Sequence, residues 1–308
     1  MHNGDLLRRS IPALFVGLWA TGFVGAKFLL PHCPPFTLLT LRFGMSAVLL
    51  VSIAVFIREP IRMTGSQLTR AAYISVFLHL SYTGGIFFAI SRGVPAGIAA
   101  VIVSLQPIIV ALLAVPLLQE RLRFSQVLGL GLGLVGVGLL LLPKVLSGNV
   151  SLAFPAAGVI GAIIALVGSV WGTIEQKRFG SDLPMLSGMA FQYTISGVIL
   201  AVLAVTTEDP YIELSIQFVA VLLWIVLGIS MGSVALLFYM LRNGSAGSVS
   251  SLLYLGTPLA ALFGYLFFDE RIRPLGMLGM ALAVCGVWLV LRRSSSSVTQ
   301  LRETADVP

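Results

Sequence analysis

The chain has 308 residues, of which 57% are hydrophobic and only 10% are charged, and its mean hydropathy is +1.01. A water-soluble domain carries about 25% charged residues, so this composition excludes a soluble globular protein and indicates a membrane protein. The formal charge of +7 does not indicate nucleic-acid binding, because the basic residues lie in short gaps between apolar runs rather than on one face.

Ten apolar runs follow one another, and each is long enough for a bilayer crossing, which takes about 20 residues. The sequence therefore predicts an all-α membrane protein, with residues 1–10 as an N-terminal segment and residues 293–308 as a polar tail. The first run is too long for the apolar core of a signal peptide and is predicted to remain as a span. We number the runs spans 1 to 10, and they cover residues 11–31, 35–57, 68–91, 94–118, 125–143, 155–177, 184–206, 216–241, 245–268 and 274–292.

The second half of the chain repeats the first at a displacement of 150 positions. The duplication predicts two repeats of five spans, residues 11–143 and 155–292. Because five is odd, the second repeat must cross the membrane upside down relative to the first, as in many transporters that alternate between two open states. The matched pairs are Arg92 and Arg242, Gly97 and Gly247, Glu120 and Glu270, Arg121 and Arg271, Gly129 and Gly279, and Gly136 and Gly286.

The distribution of Lys and Arg predicts the orientation. With a cytoplasmic N-terminus, thirteen of these residues fall in cytoplasmic segments, and four (Arg92, Lys144, Arg271 and Arg273) fall outside. This excess satisfies the positive-inside rule. Ten spans then place both termini in the cytoplasm.

Several short motifs recur in both repeats. Trp19-Ala20-Thr21 matches Trp171-Gly172-Thr173, and Arg42-Phe43 matches Gln192-Tyr193. Spans 4 and 9 each hold a proline and each end in Glu-Arg. In order, spacing and duplication these motifs resemble the EamA family of the drug/metabolite transporter superfamily. The resemblance covers essentially all ten spans, and it implies a ten-helix carrier of the bacterial inner membrane whose relatives export amino acids or other small metabolites.

Two ionisable residues lie inside spans, where a charge is costly unless it faces a cavity or a partner. His79 lies near the middle of span 3 and is a candidate to line the solute cavity; coupling to protons and plain packing are the alternatives. Arg42 lies about a third of the way into span 2 and is a candidate ligand for a solute carboxylate. The alternative is that Arg42 extends toward the headgroups.

Aromatic and hydroxyl or amide side chains at mid-span form the rest of the predicted substrate site. Such groups suit a neutral or zwitterionic solute of amino-acid size, since a strongly anionic solute would need more fixed cations. About half are expected to touch the cavity and the others to pack between helices. They are Trp19, Thr21, Tyr82, Trp171, Thr173, Gln192, Tyr193 and Tyr254, with Ser250 and Thr257 on the same helix face as Tyr254.

Glycines predict how spans 5 and 10 pack. Gly129 and Gly133 in span 5, and Gly279 and Ala283 in span 10, are small residues four apart that allow close helix approach. We therefore expect these two spans to pair as a scaffold for the other eight.

No catalytic, metal or cofactor motif is convincing, and no cofactor is predicted. Gly228-Ile229-Ser230-Met231-Gly232 matches the nucleophile pattern of hydrolases, but that pattern belongs on a strand-to-helix turn, not in an apolar helix. The leading hypothesis is a secondary transporter whose partners are a small-molecule solute and the lipid bilayer. An intramembrane hydrolase using Ser230 and His79, or a channel, is the alternative, and the sequence leaves the oligomeric state open.

Overall fold

The computed structural model describes the backbone of residues 2–94, 96–146, 155–268 and 274–291. Every regular element in these ranges is helical. Nine described helices are long and apolar enough to cross a bilayer, and span 5 adds a shorter apolar stretch, Phe124–Leu140. These observations confirm the predicted all-α membrane fold. The predicted polar tail, 293–308, lies outside the described residues.

The helices follow the predicted spans to within three residues, except that the helix of span 1 begins earlier. Spans 4 and 9 are each broken into two helices near their first third. In order, the spans are His2–Leu29, Pro35–Phe56, Gly65–Ser91, Ala96–Val103 with Gln106–Leu118, Phe124–Leu146, Ala156–Phe179, Met185–Thr207, Ile216–Asn243, Ala246–Ser251 with Leu253–Phe268, and Pro274–Leu291.

Spans 3 and 8 contain a feature that their apolar sequences did not predict. Each has a nine-residue π-helical segment at its centre, Val76–Gly84 in span 3 and Ile225–Ser233 in span 8. A π-helix is wider than an α-helix, shifts the direction of the side chains that follow, and is rare outside functional sites. A π-helical segment therefore occurs at matching places in both repeats, near the middle of the membrane.

Hydroxyl side chains fix where several spans begin. Thr64 accepts a hydrogen bond from the Gln67 N–H, and the Gln67 side chain accepts from the Thr64 N–H, which completes a capping box before span 3. Ser215 and Ser245 cap spans 8 and 9 more simply, because each side chain accepts one bond, from the N–H groups of Phe218 and Ser248. Each cap pairs an N–H group that the first turn of a helix would otherwise leave without a partner.

Spans 5 and 10 cross in opposite directions at two pairs of glycines. A Cβ on Gly129 would lie 2.5 Å from the Gly286 carbonyl oxygen, and a Cβ on Gly136 would lie 2.5 Å from that of Gly279. Because the lower-numbered residue of one span meets the higher-numbered residue of the other, the spans are antiparallel. A displacement of 150 residues carries Gly129 to Gly279 and Gly136 to Gly286, so it maps each glycine contact onto the other. The repeats are therefore related by a pseudo-two-fold axis that lies across the helices.

The expected pairing of spans 5 and 10 is present at the predicted small residues. A Cβ on Gly286 would lie 2.6 Å from the Gly133 nitrogen, and a Cβ on Gly136 would lie 2.5 Å from the Ala283 nitrogen. Gly133 also faces the ring of Tyr254 in span 9, where a Cβ would lie 2.5 Å from a ring carbon. Span 5 therefore packs closely on both span 10 and span 9.

The contacts between the other spans show the same symmetry, because each contact recurs when every span is replaced by its equivalent in the other repeat. Span 1 packs against spans 8 and 9, and span 6 packs against spans 3 and 4. Spans 2 and 7 pair beside spans 3 and 8, while spans 5 and 10 pair beside spans 4 and 9. Six spans thus form a middle group between two outer pairs.

Two carboxylates join spans 2 and 7 at their opposite ends. Glu208, just after span 7, accepts hydrogen bonds from the N–H groups of Phe36 and Thr37 at the start of span 2. Glu59, just after span 2, accepts from the N–H groups of Leu186 and Ser187 at the start of span 7. A negative charge at a helix N-terminus is favourable, so both ends of this pair are held together.

The environment of Cys33, between spans 1 and 2, reflects the same carboxylate. Burial raises the pKa of the Cys33 thiol to about 11, and the charge of Glu208 adds to the effect. The thiol is therefore protonated at neutral pH.

Candidate functional site

Four spans from both repeats meet around one arginine. The Arg42 Nε donates a hydrogen bond to the Ser230 Oγ at 2.8 Å, which joins span 2 to the π-helical segment of span 8. The Tyr193 hydroxyl of span 7 donates to the Ser230 carbonyl oxygen at 2.6 Å. Ser230 is fully buried, so this junction lies inside the protein.

Aromatic rings surround the junction. Phe43 stacks on Tyr193 with ring centroids 5.1 Å apart, and the His79 ring lies 4.6 Å from that of Tyr193. The Arg42 guanidinium carbon lies 5.5 Å from the centre of the Phe43 ring, within the range of a cation–π contact. The rings fix the position of the charged and polar groups between them.

His79 connects the aromatic group to a chain of amides. Its Nε2 lies 3.1 Å from the Gln192 Oε1, and because an amide oxygen only accepts, Nε2 carries the hydrogen. The Gln192 amide nitrogen then donates to the Gln176 Oε1 of span 6 at 3.4 Å. Ser75 donates to the Gln192 carbonyl oxygen at 2.6 Å. Span 7 is thus bonded to spans 3 and 6 through buried polar groups.

The hydrogen bonds of Arg42 and of Gln192 are related by the sequence repeat. Arg42 and Gln192 occupy equivalent positions in the two repeats, 150 residues apart. Arg42 bonds to the π-helical segment of span 8, and Gln192 bonds to that of span 3. The two equivalent positions differ in charge, however, since the first repeat has a cation there and the second has a neutral amide.

Arg42 lacks a protein counter-ion in the part of the chain that the structure describes. The ion pairs found there, His32–Glu213 and Arg70–Asp182, lie at the ends of spans. Tyr82 of span 3 lies near the guanidinium, and a tyrosine side chain ordinarily carries no charge at neutral pH. An unpaired cation inside a membrane is costly, and one that keeps free N–H groups can bind an anionic ligand.

The structure gathers only part of the predicted site at this junction. Arg42, His79, Gln192 and Tyr193 lie together, with Tyr82 beside them. Two residues that the prediction lacked as site members, Phe43 and Ser230, complete the group. Phe43 entered the sequence argument only as part of a motif, and Ser230 only as the serine of a rejected one.

The other predicted residues lie elsewhere among the middle spans. The Trp19 ring lies beside Gly256 of span 9, and Thr21 accepts a hydrogen bond from the Trp224 indole at 3.0 Å. Trp171 donates to the Tyr73 hydroxyl at 2.9 Å. Thr173 accepts from the Gln106 amide at 3.1 Å, and Tyr254 is buried against span 5.

A cavity of about 300 Å³ opens between spans 1, 8 and 9. Its wall is almost entirely apolar, and of the predicted site residues it includes only Thr21. None of the residues of the Arg42 junction lines this cavity. The residues that line the cavity are Thr21, Val24, Gly25, Ala220, Val221, Trp224 and Phe263.

Ser230 and His79 do not form a nucleophile–base pair. The Ser230 Oγ accepts from Arg42, and the His79 Nε2 is bonded to Gln192. Hydrolysis by a serine requires a hydrogen bond from the serine hydroxyl to its base. The described contacts therefore give no support to the hydrolase alternative.

Multiple apolar spans and two inverted repeats around a polar junction define an integral multi-pass membrane protein of the secondary-transporter type. The family model for the EamA-like transporter family matches residues 11–142 and 156–292. The chain therefore belongs to this family and carries two EamA repeats, as the motifs predicted.

Curated relatives agree with this assignment. A WAT1-related chloroplast protein of Arabidopsis thaliana is 27% identical over 88% of this chain, and the chain spans 66% of that protein's length. An uncharacterised transporter of Bacillus subtilis, YvbV, is 28% identical over 71% of this chain and 70% of its own. A probable amino-acid metabolite efflux pump of Salmonella typhimurium is 32% identical over 44% of this chain and 43% of its own. Transporters are thus the class to which the chain belongs, rather than enzymes.

The fold also occurs in a solved structure. One crystal structure matches with a TM-score of 0.76 at 19% identity, covering 93% of this chain and 96% of the other. This similarity supports the fold of the ten spans.

Proposed function

We propose that this transporter moves amino acids or similar zwitterionic solutes, and that it exports them across a bacterial inner membrane. The observation that carries the proposal is Arg42, a mid-membrane cation bonded to Ser230 with no described counter-ion. The Salmonella relative is named as a probable amino-acid metabolite efflux pump, which supports the same class of solute and the same direction here.

The chemistry of the guanidinium favours a carboxylate. Its Nε is used by Ser230, which leaves the two terminal nitrogens with four N–H donors. A guanidinium with free donors in one plane matches the two oxygens of a carboxylate. Ser230 and the Phe43 ring hold the group in place, so a solute need not order it.

The charge of the junction limits the solute. Arg42 is the only cation among its described contacts, and the rest of the group consists of neutral amides, hydroxyls and rings. One fixed charge suits a solute with one carboxylate better than a polyanion. The solute would bind where spans of both repeats meet, so rocking of the repeats would expose it to either side in turn.

Transport by Arg42 variants tests the proposal. We expect wild-type protein in proteoliposomes to exchange at least one L-amino acid from a panel of aliphatic, aromatic and hydroxyl side chains. Arg42→Gln, which copies the twin residue Gln192, should lower that rate at least ten-fold. Arg42→Lys should retain part of it, because an ammonium keeps the charge but not the planar pair of donors.

Arg62→Gln is the matched control, because Arg62 is exposed and lies in the loop before span 3. It should transport at the wild-type rate. Normal transport by Arg42→Gln, in protein that is monodisperse, would exclude a role for Arg42 in binding.

His79 is proposed to orient Gln192 and Tyr193 rather than to carry a proton. Its Nε2 is engaged by Gln192, and a second positive charge close to Arg42 would be repelled. His79→Gln should therefore leave the response of transport to an imposed pH gradient unchanged. Measuring efflux with and without the gradient checks this, and abolished pH-driven transport would instead assign proton coupling to His79.

A further inference from the structure

Two buried hydroxyl groups on span 9 have no hydrogen-bond partner among the described residues. They belong to Ser250 and Tyr254, which are each 1% exposed. The two residues are four apart and therefore lie on one face of the span. A buried hydroxyl without a partner costs about 1–3 kcal/mol, so two of them on one helix face point to a ligand.

The break in span 9 lies at the same place. The first helix ends at Ser251 and the second begins at Leu253. Farther on, Pro258 has no N–H group, so the Tyr254 carbonyl oxygen loses its normal partner four residues ahead. Interrupted helices present free backbone carbonyls to ions and substrates in many transporters.

Near the twin break in span 4 the polar side chains are paired, which shows that a break does not by itself leave side-chain hydroxyls without a partner. Ser104, at the position equivalent to Tyr254, donates to the Val101 carbonyl oxygen at 2.6 Å. Gln106, just after that break, donates to the Thr173 hydroxyl at 3.1 Å. In span 9 the position of Gln106 is taken by Gly256, which brings no polar side chain.

The unpaired atoms of span 9 are all oxygens. The Tyr254 carbonyl can only accept a hydrogen bond, and both hydroxyl oxygens can accept one. Span 9 contains no Lys, Arg or His between Ala246 and Phe268. A group that brings positive charge and needs oxygen partners would suit the two hydroxyl oxygens.

From this geometry we infer that Ser250 and Tyr254 form a subsite for a small monovalent cationic group. Two sources supply that chemistry, the ammonium group of a zwitterionic solute and a sodium ion. The first rests on the proposed function, since it needs a solute that carries an ammonium group. The second holds for any solute that the protein carries.

Transport by Tyr254→Phe and Ser250→Ala tests the subsite, with L-leucine and its deaminated analogue 4-methylpentanoate as probes. If the ammonium binds here, both variants should raise the KM for leucine about ten-fold and leave the KM for 4-methylpentanoate unchanged. If sodium binds here, wild-type exchange should be faster in sodium chloride than in choline chloride, and both variants should lose that difference. Tyr265→Phe, on the exposed side of the same span, is the matched control.

Wild-type kinetics in both variants, for both probes and both salts, would overturn the subsite and leave the proposed function standing. Equal losses for leucine and 4-methylpentanoate, without a sodium effect, would also overturn it, because they indicate general damage to packing. If Tyr254→Phe does not fold, Ser250→Ala alone decides, since it removes one small hydroxyl.

If wild-type protein exchanges neither probe, thermal unfolding in sodium chloride against choline chloride still tests the subsite. Stabilisation by sodium that Ser250→Ala removes would support it. Absence of stabilisation both by sodium and by every amino acid of the panel would exclude it, and transport of that panel by the Arg42 variants decides the proposed function separately.

Discussion

Tyr193 and Tyr254 are equally buried, at 1% exposure, but their hydroxyl groups have different surroundings. The Tyr193 hydroxyl donates to the Ser230 carbonyl oxygen, while that of Tyr254 has no partner among the described residues. The same change at the two positions therefore removes a hydrogen bond in one case and an unpaired polar atom in the other.

This contrast predicts opposite effects on stability. Tyr193→Phe should lower the free energy of unfolding by about 1–2 kcal/mol, because it leaves the Ser230 carbonyl without its donor. Tyr254→Phe should leave the free energy unchanged or raise it, since nothing is lost in the solute-free protein. Thermal unfolding of both variants in detergent without solute checks the prediction, and equal decreases would contradict it.

At the scale of single residues, the sequence could locate the charged members of the site but not their partners. Arg42 and His79 were identifiable because an ionisable group inside an apolar run is costly. Ser230 was not, because serine is ordinary in a membrane helix and its partner Arg42 lies 188 positions away. Only the fold brings such distant residues into contact.

The pairing of spans 2 and 7 depends on Glu59 and Glu208, which lie in the short loops that follow these two spans. Each accepts two backbone N–H groups of the opposite span. Nothing local in the sequence distinguishes them from other loop carboxylates, because the N–H groups that they cap belong to the other repeat.

Substituting these carboxylates tests the pairing. Glu59→Gln and Glu208→Gln should each lower the free energy of unfolding by about 1–2 kcal/mol, since the amide keeps one acceptor but loses the charge. The double variant should lose the sum, because a helix of 22 residues separates the two sites by about 33 Å. Asp209→Asn, at the exposed position beside Glu208, should show no measurable change, and an equal loss there would refute the capping role.

The spans themselves were predictable and their internal irregularities were not. Hydropathy gave helix ends to within three residues for nine spans, since a bilayer demands a fixed apolar length. The π-helical segments of spans 3 and 8 arise from packing against other spans, and both stretches read as ordinary apolar helix. Spans 4 and 9 each hold a proline, but the proline predicts neither the position of the break in span 9, which lies six residues before Pro258, nor the unpaired hydroxyls there.

The two ends of the whole molecule differ although the repeats are twins. Arg242, after span 8, donates to the carbonyl oxygens of Gly180 and Leu183 at 2.6 and 2.7 Å. Its twin Arg92 is exposed and lies over the Phe88 ring, with no hydrogen bond to the equivalent carbonyls of Leu30 and Cys33. An arginine therefore stabilises the loop between spans 6 and 7 by hydrogen bonds, while the equivalent arginine makes no such bonds to the loop between spans 1 and 2.

Backbone hydrogen exchange tests this asymmetry. Arg242→Ala should speed exchange in residues 180–184 about ten-fold, because bonds from a charged donor contribute about 1.5–3 kcal/mol to keeping the end closed. Arg92→Ala should leave exchange in residues 30–34 unchanged. A similar response at both ends, or none at either, would show that the arginines do not distinguish them.

The difference between Arg42 and Gln192 has an electrical consequence. If the repeats were chemically identical, exchanging their roles would give two states of equal energy. With a guanidinium on one repeat alone, any movement of that repeat along the membrane normal carries a fixed charge through the transmembrane voltage, worth about 2.3 kcal/mol per charge for a full crossing at 100 mV. The membrane potential would then influence how long the carrier stays open to each side, even in the absence of bound solute.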